Sequence, residues 1–168
     1  GGFPNESYIT ATEAGTNLPN SRLAAQGAGM TLTDGGADST YTFAVSTNTR
    51  TAAIVFIIDG GGSAITTGVK GDVQIPFNCT IISWTLLADQ SGSIVVDIWK
   101  DVYANYPPTV ADTITQSAKP TVTTATNNTS STLTGWTTAI VDGDTLRFNV
   151  DSITTCTRVS LIIEVLKP

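Results

Sequence analysis

Asp97, Trp99, Asp101, Tyr103, Asn105 and Tyr106 crowd into the stretch "DIWKDVYANY", followed at once by Pro107 and Pro108. Aromatic rings stack on the apolar faces of pyranoses while carboxylates and amides bond the hydroxyls, so this group is a candidate sugar platform. The same residues also suit a purely structural role, with Trp99 packed beneath a loop, the tyrosines covering a sheet edge and the prolines stiffening the exit. Asp97 and Asp101 raise the question of a glycosidase pair. Four residues along a strand separates them by roughly 13 Å, too far for either carboxylate geometry.

Other chemistry is poorly provided for. The chain has no histidine, which removes the commonest general base and the commonest zinc ligand together. Cys79 and Cys156 form neither a redox motif nor a zinc knuckle. Each opens an expected strand, so a bridge is conceivable, worth about 4 kcal/mol in the chain-entropy model. Two separate buried thiols is the simpler expectation. The runs Asp34 to Asp38 and Asp142 to Asp144 lack calcium-loop spacing and read as turns. No enzyme activity, cofactor or metal is expected.

The elements that must position the platform follow from composition and alternation. A chain of 168 residues is 40% hydrophobic and only 13% charged, long enough to bury a core without staples. Its net charge is -6 with eight Lys and Arg scattered singly, which argues against nucleic acid as a partner. No apolar run approaches the ~20 residues that cross a bilayer, and no membrane insertion is expected. The chain opens on Gly1-Gly2 and not Met, as a piece processed or excised from something longer would.

Residues 1–50 are rich in Gly, Ala, Asn and Thr and too sparse in apolar groups to build a core. They read as an N-terminal arm: a short extended piece, a turn at Leu18-Pro19-Asn20, then strands at Met30–Thr33 and Thr40–Val45 joined at Asp34-Gly35-Gly36. An isolated hairpin is marginal in water and must lie against something. From residue 51 to 168 strands alternate with turn signals. Ala52–Ile58 is apolar on both faces, the mark of a central strand or of one covered by a partner subunit. Val73, Ile75 and Phe77 share a face; so do Ile82, Trp84 and Leu86. "ADQSGS" (88–93) should turn the chain back. Ile94, Val96 and Ile98 then point inward, opposite Asp97, Trp99 and Asp101. A Thr-rich stretch near 121–132 suits a weak edge strand. Leu146, Phe148 and Val150 alternate with polar residues, and Val159, Leu161, Ile163 and Val165 close the domain. About eight strands without crossover helices make an all-β fold, an antiparallel β-sandwich of jelly-roll type.

The runs "IDGGGSAITTGVKGDVQIPF", "SWTLLADQSGSIVVDIWKDVYANYPPTVADTIT" and "LTGWTTAIVDGDTLRFNVDSITTCTRVSLIIEVLK" resemble the C-terminal domain of tailed-bacteriophage virion proteins of the tail-fibre or receptor-binding type. Upstream, "LPNSRLAAQGAGMTLTDGGADSTYTFAV" is similar to the segment that commonly precedes such a domain. The resemblance implies a homotrimer on the virion surface, on a tail fibre or the capsid exterior. It implies adhesion to a host cell-surface polysaccharide, and contact with other virion proteins through the arm. A capsid decoration or head-fibre protein with a purely structural role is the other reading of the same resemblance.

Overall fold

The computed structural model describes residues 8–10, 21–23, 27–34 and 40–168. The chain divides into two compact units, Gly1–Arg50 and Thr51–Pro168. In the first, β1 (Tyr8–Thr10) pairs in parallel with β2 (Ser21–Leu23), and β3 (Met30–Asp34) pairs antiparallel with β4 (Tyr41–Val45). The expected turns at Leu18–Asn20 and after Asp34 lie outside the described residues. Gly29 adopts φ +82°, and a Cβ there would stand 2.6 Å from Thr49 Oγ1, so only glycine fits this approach. Thr49 belongs to the four-residue helix Thr47–Arg50 that follows β4. Met30, Phe43 and Val45 of the hairpin are about half exposed.

The second unit is built from β5 (Thr51–Asp59), β6 (Gly68–Gln74), β7 (Cys79–Val102), β8 (Thr121–Ser130), β9 (Ala139–Ile140), β10 (Asp144–Thr154) and β11 (Arg158–Leu166). All belong to one antiparallel sheet in the order β5-β11-β7-β10-β6, with β8 and β9 along the other edge of β7. The register explains the architecture. β7 runs unbroken for 24 residues, pairing with β11 through Thr80–Ala88 and with β10 through Ser93–Val102. The chain of β10 and β11 therefore follows β7 over its whole length, and β5 and β6 follow β11 and β10 in turn.

The sheet folds back on itself across one corner. Along that corner lie 60–67, 88–93 and 151–157, where the regular pairing of each run breaks. Strands that pass from one layer to the next through bulges are a known way to close a sandwich. Phe56 of β5 stacks on Phe148 of β10 with ring centroids 4.2 Å apart, although the two strands are not neighbours in the sheet, so the layers face each other. Gly71 sits under the Phe56 ring, where a Cβ would be 3.0 Å from Cζ.

This is the all-β sandwich expected from the alternation. Leu146, Phe148, Val150, Val159, Leu161, Ile163 and Val165 are wholly buried, together with Ile94, Val96 and Ile98. Three local expectations need correction. "ADQSGS" does not reverse the chain; it is the bulged corner of β7. Ile81, and not Ile82, joins Trp84 and Leu86 inside, because the register slips between Glu164 and Val165. β5 is not central: among the described residues it pairs with β11 alone, and Val55 and Ile57 on its outer face are 55% and 58% exposed.

The corner is stitched by side chains in place of ladder bonds. Thr155 Oγ1 donates to Ser91 O at 2.8 Å, Thr157 N donates to Asp89 Oδ1 at 3.1 Å, and Gln90 Nε2 donates to Thr155 O. At the opposite end of the sandwich, Thr51 and Leu166 are paired residues on adjacent strands.

Candidate functional site

The outer face of the second layer carries three strands of polar side chains. Register places Trp99, Arg147 and Asp72 in one row across β7, β10 and β6, and Asp101, Thr145 and Gln74 in the next. The connection 103–120 leaves the end of β7 and folds along this face. Its last part returns beside β7, where Ile114 N donates to Ile98 O and Val96 N donates to Pro120 O, both at 2.9 Å.

The sequence platform divides into two environments. Asp97 is only 1% exposed, because the returning segment closes over it. Its Oδ1 accepts from Thr113 Oγ1 at 2.6 Å and Thr115 Oγ1 at 2.7 Å, and Lys119 Nζ lies 2.9 Å from Oδ2. Lys119 also reaches Asp151 at 2.6 Å. Asp97 is therefore a clasp for the loop and not a group offered to a ligand. Trp99 is partly covered, with a buried Nε1. Asp101 Oδ1 accepts from Val102 N and from Asn105 Nδ2, so these two residues shape the start of the loop.

Tyr103 and Tyr106 remain in the open, 71% and 50% exposed. They border a cleft of about 240 Å³ whose other walls are Asp72, Gln74 and Thr145. Tyr106 is held firmly: its hydroxyl donates to Asp72 Oδ2 at 2.8 Å, and the Arg147 guanidinium lies 5.5 Å from its ring centre. Arg147 in turn grips Asp72 through Nε at 2.6 Å and Nη2 at 2.9 Å, and donates from Nη1 to Pro108 O. Tyr106–Pro107 is a cis peptide. Among the described residues the hydroxyls of Tyr103 and Thr145 have no protein hydrogen-bond partner, and Gln74 uses only its Nε2, on Gly143 O.

No family model, curated protein or solved structure matches this chain. Its site is therefore read from geometry.

Asp72, Gln74, Thr145 and Arg147 were not among the residues singled out from sequence. They reach Tyr103 and Tyr106 only through strand pairing, and no local pattern announces that. Among the described residues no group of three or more Asp, Glu or Cys side chains is arranged to hold a metal ion. Asp144 accepts instead from Lys100 Nζ at 2.8 Å and Val141 N at 2.9 Å, and Asp142-Gly143 forms the turn before it. Cys79 and Cys156 are free, buried thiols, raised above the ordinary range by burial first and by Asp144 and Asp89 respectively. A larger hollow of about 360 Å³ lies on the outer face of the other layer, among Ala53, Thr85, Ile162 and Glu164, but no aromatic ring lines it.

The carboxylates set the acid limit of the fold. Hydrogen bonds from Arg147 hold Asp72 below the usual carboxylate range against the cost of burial. For Asp97 burial acts upward, and the bonds from Thr113, Thr115 and Lys119 together outweigh it, leaving the pKa lowered. A group depressed in the folded state contributes stability in full above its unfolded pKa of about 3.9, and loses it as pH falls through the folded value. With no histidine present, the thermal midpoint is expected to be flat from about pH 5 to 8 and to drop below about pH 4. Melting curves across that range test this; a step between pH 6 and 7 would contradict it.

Proposed function

We propose that this protein is a non-enzymatic adhesion module of a phage virion, a trimeric fibre-tip domain that attaches to a host-surface glycan through the cleft bordered by Tyr103 and Tyr106. The observation that carries the binding site is the Tyr103 ring, 71% exposed on a loop clasped to a rigid sheet, beside hydroxyl and amide groups that the protein leaves unused. Exposed aromatics of this kind contribute a flat stacking surface at low entropic cost. The virion context rests on the sequence resemblance alone. Sister copies are supported by the apolar side chains left open in each unit: Met30, Phe43 and Val45 in the first, Val55, Ile57 and Leu87 in the second. Weak sites repeated around a trimer gain avidity when several engage together.

Two measurements test the proposal. Sedimentation should give three times the chain mass of 17.5 kDa, and host cell-wall fractions should retain the protein. A monomer, or a protein held by capsids and ignored by envelopes, would favour the structural decoration role. Tyr103→Ala should weaken retention at least ~tenfold with little change in thermal midpoint, in line with ~1–3 kcal/mol for a well-placed aromatic contact. Tyr106→Ala is a less clean probe, because it also strips a hydrogen bond from Asp72.

A further inference from the structure

We infer that the Tyr103 cleft selects a single uncharged pyranose and discriminates against acidic sugars. The inference rests on the glycan-binding reading above and narrows its ligand class. Recognition of a uronate, sialate or phosphate requires a cation or a cluster of free N–H donors aimed at the anion. Among the described residues Arg147 is the cation that borders the cleft wall, and its charge is already matched by a carboxylate: Nε and Nη2 close on Asp72, and Nη1 donates to Pro108 O, which leaves only the second N–H of each Nη. Its side chain is only 16% exposed. Lys100 is paired with Asp144. Lys70, on the strand that carries Asp72, turns its ammonium to Thr66 Oγ1 and Thr67 O. What remains for a ligand is neutral: the exposed Tyr103 hydroxyl and ring and the Gln74 side-chain carbonyl, with Thr145 at the cleft floor only 4% exposed.

The surroundings add repulsion. Asp101 lies in the row of Thr145 and Gln74, and the whole chain carries a net charge of -6. An anionic sugar would thus meet unfavourable potential without a compensating partner, which is discrimination by repulsion. Size limits the ligand as well. At about 240 Å³ the cleft falls below the ~300–1,000 Å³ of pockets that enclose larger ligands, so one ring fits and further units of a glycan extend into solvent.

The experiment is calorimetric titration of the 168-residue chain with sugar pairs that share a ring and differ by a carboxylate at C6: glucose against glucuronate, and galactose against galacturonate. Neutral members are expected to bind at least ~tenfold tighter than their acidic partners, with affinity changing less than about twofold between 50 and 500 mM salt, since no ion pair is made. Monosaccharide and oligosaccharide should bind alike, and Tyr103→Ala should abolish the signal. Tighter binding of the acidic members, lost in Tyr103→Ala, would overturn the charge selectivity and leave the glycan site standing. Binding by neither series would overturn the glycan reading itself. Binding that survives Tyr103→Ala would remove the ligand from this cleft.

Discussion

Replacing Asp97 with Ala is expected to destabilise the sandwich by about 3 kcal/mol and to lower its thermal midpoint by roughly 10 °C. Breaking a buried ion pair from one side costs about 3–5 kcal/mol because the partners keep their desolvation and lose their compensation. The lower end applies here, since the Lys119 side chain is 27% exposed and retains Asp151. Two threonine hydroxyls lose their acceptor as well, Thr115 being wholly buried. Asp97→Asn preserves an acceptor without the charge and should cost about half as much. Because Asp97 ties the segment 113–119 to β7, limited proteolysis should cut that connection in Asp97→Ala before the sheet unfolds. A midpoint within about 2 °C of the parent would show that the clasp is dispensable.

Gly92→Ala is expected to be comparably damaging, for a steric reason. A Cβ at residue 92 would stand 2.4 Å from Thr154 O, 2.5 Å from Thr155 Oγ1 and 2.6 Å from Cys156 Sγ. The first of these is backbone and the site is buried, so the two runs that round the corner together would have to separate. Overpacking usually costs 1–3 kcal/mol, and the upper end, about 3 kcal/mol, fits a contact against main chain. Gly62→Ala is the control. It has φ +87° but open space around the added carbon, so only the backbone strain of about 1 kcal/mol should appear. Urea midpoints of the two variants decide the matter, and equal values would mean that the corner is loosely packed.

The layered β-fold was legible because strand alternation is local: the inward faces of β10 and β11 can be counted off "LRFNV" and "RVSLIIEVL". The corner was not. Gly, Ser, Asp and Gln at 88–93 mark where a regular ladder ends, and composition cannot distinguish a reversal from a bulge that carries the strand onward. For β5, apolar residues on both faces left two readings, a central strand or one covered by a partner subunit, and the pairing with β11 removes the first. The Thr-rich stretch, by contrast, does form a strand, β8, along β7.

The site was legible only in part. Tyr103 and Tyr106 stand out by residue type, and the loop that exposes them follows from the prolines. Asp97 shared their neighbourhood in sequence, yet its fate was decided by Thr113, Thr115 and Lys119 arriving from the far side of the loop. Asp72 and Arg147 lie 75 residues apart and meet across a strand pair, an arrangement set by the register of the whole sheet.

The pairing of Thr51 with Leu166 makes the second unit a cassette. A segment whose first and last strands run side by side can be spliced into a surface loop of another protein without stretching either junction, or have its ends joined by a short bridge and be reopened elsewhere. Gly61 and Gly62 at the corner, clear of other atoms, offer the natural place to reopen it, far along the strands from the cleft.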